Sequence, residues 1–155
     1  WKIVSGIRLK RGKLEYMPDN DAAAPDADLS EDSKEFLEVL ADGKPVKIGP
    51  GEDGMMITTG EVEGWDAVER DEVAVALDEV PQILKDLGII IDDESASKEW
   101  FAADAELDEA ICFVGAGYLH TSGSGPSALD LNYPRSSVSA NIGFFSALLG
   151  KPVIR

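Results

Sequence analysis

Cysteine and histidine are almost missing from this chain, which has one of each, Cys112 and His120, among 155 residues. A lone cysteine forms no internal disulfide, and its place in the run Ile111-Cys112-Phe113-Val114 reads as a buried, inert thiol. This usage fits a reducing compartment, and a cytoplasmic location is the expectation. Basic residues are scarce too, with 14 Lys+Arg against 30 Asp+Glu and a formal net charge of -16. Nucleic acid and anionic membrane are therefore not expected partners, because binding them relies on Lys and Arg neutralising phosphate. Long apolar runs are absent. The longest, Ile111–Leu119, falls well short of the roughly 20 residues of a membrane span, and no secretory signal pattern is visible.

What is present is enough for a core. Apolar residues make up 44% of the chain, too many for a disordered polymer despite the charge. The length suits one globular domain over residues 1–155, able to hide about 70% of its unfolded surface.

The charge is unevenly laid out. Lys2, Arg8, Lys10, Arg11 and Lys13 crowd the start, and Asp130 is the one acid after residue 109. Between them lie three acidic runs, 15–32, 52–72 and 92–109, with Arg70 and Lys98 as their only bases. Any one run reads by default as a solvated surface. Three in one small domain raise the expectation that some share a face and steer a basic partner. That complement is a basic protein, met as an inhibitor or immunity protein would meet a toxin or nuclease. The candidate contact residues are Glu61, Glu63, Trp65, Asp66, Asp92, Asp93 and Glu94. Trp65 stands apart as the one large apolar residue of an acidic connection. It could anchor a partner, though the favoured role is to pin that connection to the core.

Periodicity supplies the elements. Alternation over Ile3–Leu9 and Leu14–Tyr16, around Arg11-Gly12, predicts a β-hairpin over 2–17 with a basic solvent face. Residues 18–29 read as a flexible acidic loop. Ser30 as N-cap, the apolar face Phe36, Leu37, Val39 and Leu40, and Gly43 as C-cap predict a helix. Short strands follow at 46–48 and 55–59 around the turn Pro50–Gly54, and a strand is expected at 72–77. Pro81 suits the first turn of a helix over 79–87 ended by Gly88, with Ile89–Ile91 as the next strand. Ser97 would cap a helix carrying Trp100, Ala103, Leu107 and Ala110 on one face. Ile111–His120 and Ala128–Tyr133 read as strands, and 138–149 as a final helix. The sum is an α+β fold: one mixed, mainly antiparallel sheet covered by three or four short helices.

Catalytic and ligand signals are weak. The Gly/Ser loop 115–127 offers backbone amides and hydroxyls that could cradle an anion. It matches neither phosphate-binding pattern, and a wide hairpin connection is the plain reading. His120, Ser122, Ser124 and Asp130 could form a nucleophile, base and acid set only if the flanking strands pair, and no nucleophile elbow is present. A small hydrolase or ligand-binding domain is thus the second reading, behind a non-catalytic one. Asp19-Asn20-Asp21 and Asp92-Asp93-Glu94, with Asp26 and Asp28, carry oxygen ligands but not the spacing of a calcium loop, so neither metal nor cofactor is expected. The nearly charge-free third, residues 110–155, suggests a third reading as a structural subunit of a phage or larger assembly. Phe144 and Phe145 are adjacent on helix 138–149, so burial from two sides by a second copy would make a homo-oligomer there.

Overall fold

The computed structural model describes residues 2–18, 22, 24–115 and 123–136, with 2–5 followed by their backbone alone. The expected hairpin is present: β1 (Lys2–Lys10) and β2 (Lys13–Tyr16) pair antiparallel. Its turn is Arg11-Gly12, both at positive φ, 49° and 82°. Two such residues in succession give a turn whose twist matches the flanking strands.

The basic solvent face expected of this hairpin is corrected at Arg8, which is 4% exposed. Its guanidinium meets Glu15 at 3.0 Å and Glu109 at 2.9 Å, and lies 3.9 Å over the Phe36 ring. Arg135 grips the other side of the Glu109 carboxylate at 2.8 and 3.0 Å. Burial works against charge on Glu109, but Arg135 and then Arg8 more than offset it and hold its pKa below the usual range. A buried guanidinium is tolerated only with such partners, so Arg8 follows the pairing available, not the alternation of its strand.

The α+β expectation, with three or four helices on a sheet, is overturned: the chain is mostly β, built on a mixed sheet of ten strands. Where a helix is expected after Ser30, the chain instead makes β3 (Leu37–Glu38) and β4 (Leu40–Ala41), the latter paired with β5 (Lys44–Pro45). Asp42-Gly43, at φ 52° and 75°, is a hairpin turn and not a helix end. Val39 donates to the Leu14 carbonyl and accepts from Val46, so sheet pairing takes this backbone. β6 (Lys47–Gly51) and β7 (Gly54–Thr58) match the two strands expected there, and pair antiparallel as a hairpin. The acidic connection after Glu61 contains β8 (Trp65–Glu69), and β9 (Ala74–Ala76) follows within the expected strand. The helix expected over 79–87 shortens to α1 (Gln82–Asp86). Ile89–Ile91 is not a strand, because the Ile89 and Ile90 amides bond back to the Leu84 carbonyl. The helix expected after Ser97 is β10 (Trp100–Asp104), whose Phe101, Ala102 and Ala103 are all buried. Alanine favours helix on its own, but a strand buried on both faces needs only small and apolar residues, and tertiary context decides. β12 (Leu129–Tyr133) occupies an expected strand, while β11 (Ala110–Val114) covers only the start of the one expected over 111–120, whose residues 116–120 lie outside the described residues. Helix 138–149 lies outside the described residues. No helix among the described residues is long and apolar enough to cross a membrane.

The strands run β8-β10-β12-β11-β1-β2-β6-β7-β9 across the sheet, with β3 beside β2. The β10/β12 and β7/β9 pairs are parallel. Nine strands laid flat would separate β8 from β9 by roughly 38 Å. Yet only residues 70–73 connect these two edges, a reach of at most about 19 Å. The sheet must therefore roll, and it encloses Leu9, Leu14, Ile48, Ile57, Leu84, Phe101 and Leu131. Glycines set the closest approach: a Cβ on Gly49 would stand 2.9 Å from Ala105 Cβ and 3.2 Å from Val62 Cβ.

Candidate functional site

Seven acidic-surface residues stand out from the sequence, and all seven are exposed. They form two groups rather than one patch. Glu61, Glu63, Trp65 and Asp66 lie at the start of β8, while Asp92, Asp93 and Glu94 lie beside Asp71, just past its far end. A five-residue strand separates them, on the order of 15 Å.

The first group is built by strand pairing. Trp65 is opposite Asp104 in the β8/β10 register, and the Gly64 amide donates to Glu106 at 2.9 Å. The Glu63 amide donates to the Pro50 carbonyl, which brings Glu52 alongside. Trp65 is 63% exposed, so it does not pin its segment to the core. Val62 has that role, packed over the bare backbone of Gly12 and Gly49. Near Trp65 in sequence or register stand Glu63, Asp66, Asp104 and Glu106, none of which forms an ion pair among the described residues. Lys47 touches Glu61 at 3.4 Å. Sequence reasoning missed Asp104 and Glu106, because only the β8/β10 register brings residues 40 positions apart together.

The second group is partly neutralised. Lys85 meets Asp92 at 3.1 Å, and Lys98 bridges Glu69 at 3.0 Å and Asp71 at 2.7 Å. Glu69, Asp71 and Glu72 lie close enough to share a cation, and the Lys98 ammonium already supplies one. Those two carboxylates raise the Lys98 pKa. Asp93 accepts from the Ser95 amide at 2.9 Å, and the Ser95 side chain and then this amide lower its pKa. Asp71, Asp92, Asp93 and Glu94 line an apolar cleft of about 290 Å³ together with Ile57, Val73, Val75, Ile89 and Phe101. Arg70 is held at its wall by the carbonyls of Ser127, Ile89 and Gly88 at 2.7, 2.9 and 3.0 Å. Burial lowers its pKa, partly countered by Glu99.

Of the catalytic alternatives, His120 and Ser122 lie outside the described residues. Ser124 is exposed, whereas Asp130 on β12 is 2% exposed. Burial raises the Asp130 carboxyl to about 7, against the Asn132 amide at 2.8 Å and the neighbouring Trp100 side chain, which favour its charge. Burial and then Asp130 push the Cys112 thiol up, so it stays protonated. The described end of the Gly/Ser loop is docked. The Ser127 amide donates to Glu99 at 2.7 Å, and the Glu99 carboxylate stands where a Cβ on Gly125 would be. That amide is therefore unavailable to a ligand anion. No family model matches this chain, and no curated protein matches it.

Proposed function

We propose that this is a non-catalytic acidic binding protein that engages a basic protein, as an inhibitor or immunity protein would, through the Trp65 end of β8. The observation that carries this reading is Trp65, 63% exposed, with neighbours in sequence and register whose carboxylates have no cationic partner among the described residues. Such a surface supplies the two parts of a hot spot for lysine- or arginine-rich partners. The indole face attracts a guanidinium or ammonium and gives apolar contact area, on the order of 1 kcal/mol for an exposed cation–π pair. The surrounding negative field raises the encounter rate and falls with added salt.

The test is titration of a short polyarginine peptide, followed by calorimetry at low and moderate salt. Trp65→Ala, and separately the pair Glu63→Lys with Asp66→Lys, should each weaken binding at least tenfold. Affinity indifferent to both variants removes the proposal.

A further inference from the structure

The two outermost strands of the rolled sheet are not finished alike. On β8, the Ala67 amide donates to the Asp66 carboxylate at 2.7 Å and the Glu69 amide to Glu72 at 2.9 Å. Two outward amides of this strand, those of Ala67 and Glu69, are thus capped by side chains, while its other side pairs with β10. β9 pairs with β7 on one side, and among the described residues no hydrogen bond reaches its other side. It is also apolar: Val73-Ala74-Val75-Ala76-Leu77 is uncharged, and Val75 is 42% exposed. An open, apolar edge is a template for a further strand.

Charge says what kind of strand. Asp71 and Glu72 precede the apolar run and Asp78 and Glu79 follow it. The acids at the two ends are about 20 Å apart along an extended chain. Val73 and Val75 also line the apolar cleft, whose rim holds Asp71, Asp92, Asp93 and Glu94 against Arg70, with Lys85 and Lys98 alongside. A second copy of the chain is a poor occupant. Pairing two β9 strands, in either direction, sets acids opposite acids at both ends, between molecules of charge -16.

We infer that β9 is a docking edge. An extended segment of the basic partner, apolar at alternate positions over about five residues with a lysine or arginine at each end, adds to the sheet beside Val73–Leu77. Apolar side chains on one of its faces enter the cleft. This deepens the proposed function and rests on it for the sign of the partner's charge.

The probe is a synthetic peptide, Lys-Val-Thr-Val-Thr-Val-Lys, added to the whole protein and read by amide hydrogen exchange and calorimetry. Exchange at residues 74–77 should slow at least tenfold on binding. Val75→Lys should weaken affinity at least tenfold, and so should N-methylation of alternate peptide amides, a control that leaves the protein untouched. Trp65→Ala should change this affinity less than twofold. Binding indifferent to peptide N-methylation, or protection that appears on β8 instead, overturns the inference. So does protection that rises with protein concentration alone and vanishes in Val75→Lys, which would make a second copy the occupant. A peptide with glutamate ends that binds equally well sinks the charge assignment. Loss of the Trp65 effect on polyarginine binding sinks only the preceding proposal.

Discussion

The strands β8 and β9 are neighbours in sequence, lie at opposite ends of the sheet order, and handle the same problem differently. Each presents backbone groups that water or another chain must satisfy. β8 carries its own acceptors: Asp66 and Glu72 turn back onto the Ala67 and Glu69 amides. β9 has only small and aliphatic side chains, which cannot cap an amide. The difference lies in side-chain reach. A carboxylate one or three residues away folds onto the backbone it flanks, whereas Asp71, Glu72 and Asp78 bracket β9 without covering it. One edge is closed by acid, and the other is framed by it.

The contrast can be pressed from the centre outwards. The largest effect is expected in the middle of the sheet, where pH acts on one residue. Burial raises Asp130 to about 7, against roughly 4 in an unfolded chain. Folding therefore takes up a proton between those values, so the contribution of Asp130 to stability is full below about pH 4 and is lost as pH climbs through 7. The whole decline is on the order of 4 kcal/mol. Asp130→Asn should flatten it, as urea titrations at pH 5 and pH 8 would show, and an unchanged slope would refute the assignment. Next comes the link between the edges. Arg70→Met would leave the carbonyls of Gly88, Ile89 and Ser127 without their donor and cost about 3 kcal/mol. Lysine should not rescue it, having no planar fork to reach three carbonyls.

At the edges themselves the effects shrink. Glu72→Ala should uncap β8 at Glu69, cost about 1 kcal/mol in chemical denaturation, and speed exchange of that amide. If exchange at Glu69 stays put, the capped edge is not what protects it. Val75→Lys should move stability by less than about 0.5 kcal/mol, because its side chain is already half in solvent. It would make β9 resemble a defended edge, which is why loss of peptide pairing in that variant would be informative.

Hairpins were legible where a turn signal and a period of two coincided. The Arg11-Gly12 hairpin and the strands around Pro50–Gly54 are local, and their residues meet partners a few positions away. The segment after Ser30 misled because a capping serine, early acids and a closing glycine fit a helix as well as a strand pair. Asp42-Gly43 was the competing signal, since that dipeptide also makes the two-residue turn of a hairpin. The strand at Trp100–Asp104 was illegible for a different reason: burial on both faces erases alternation, and Ala102-Ala103 leaves no β-branched signature. Trp65 reads as pinning its connection to the core, but it is exposed, and Val62 instead packs against Gly12 and Gly49.

Charge, composition and local turn chemistry follow from the residues alone, because they need no knowledge of distant neighbours. The acidity, the lone inert thiol and the first hairpin belong to that class. Tertiary structure alone decided which carboxylates became neighbours, which arginines were buried and which edge is bare among the described residues. Those outcomes depend on β-pairing between residues as far apart as Arg8 and Ile111, which carries no periodic trace in the chain. A strand's partners come from the whole sheet, and its own sequence specifies only the faces it can present.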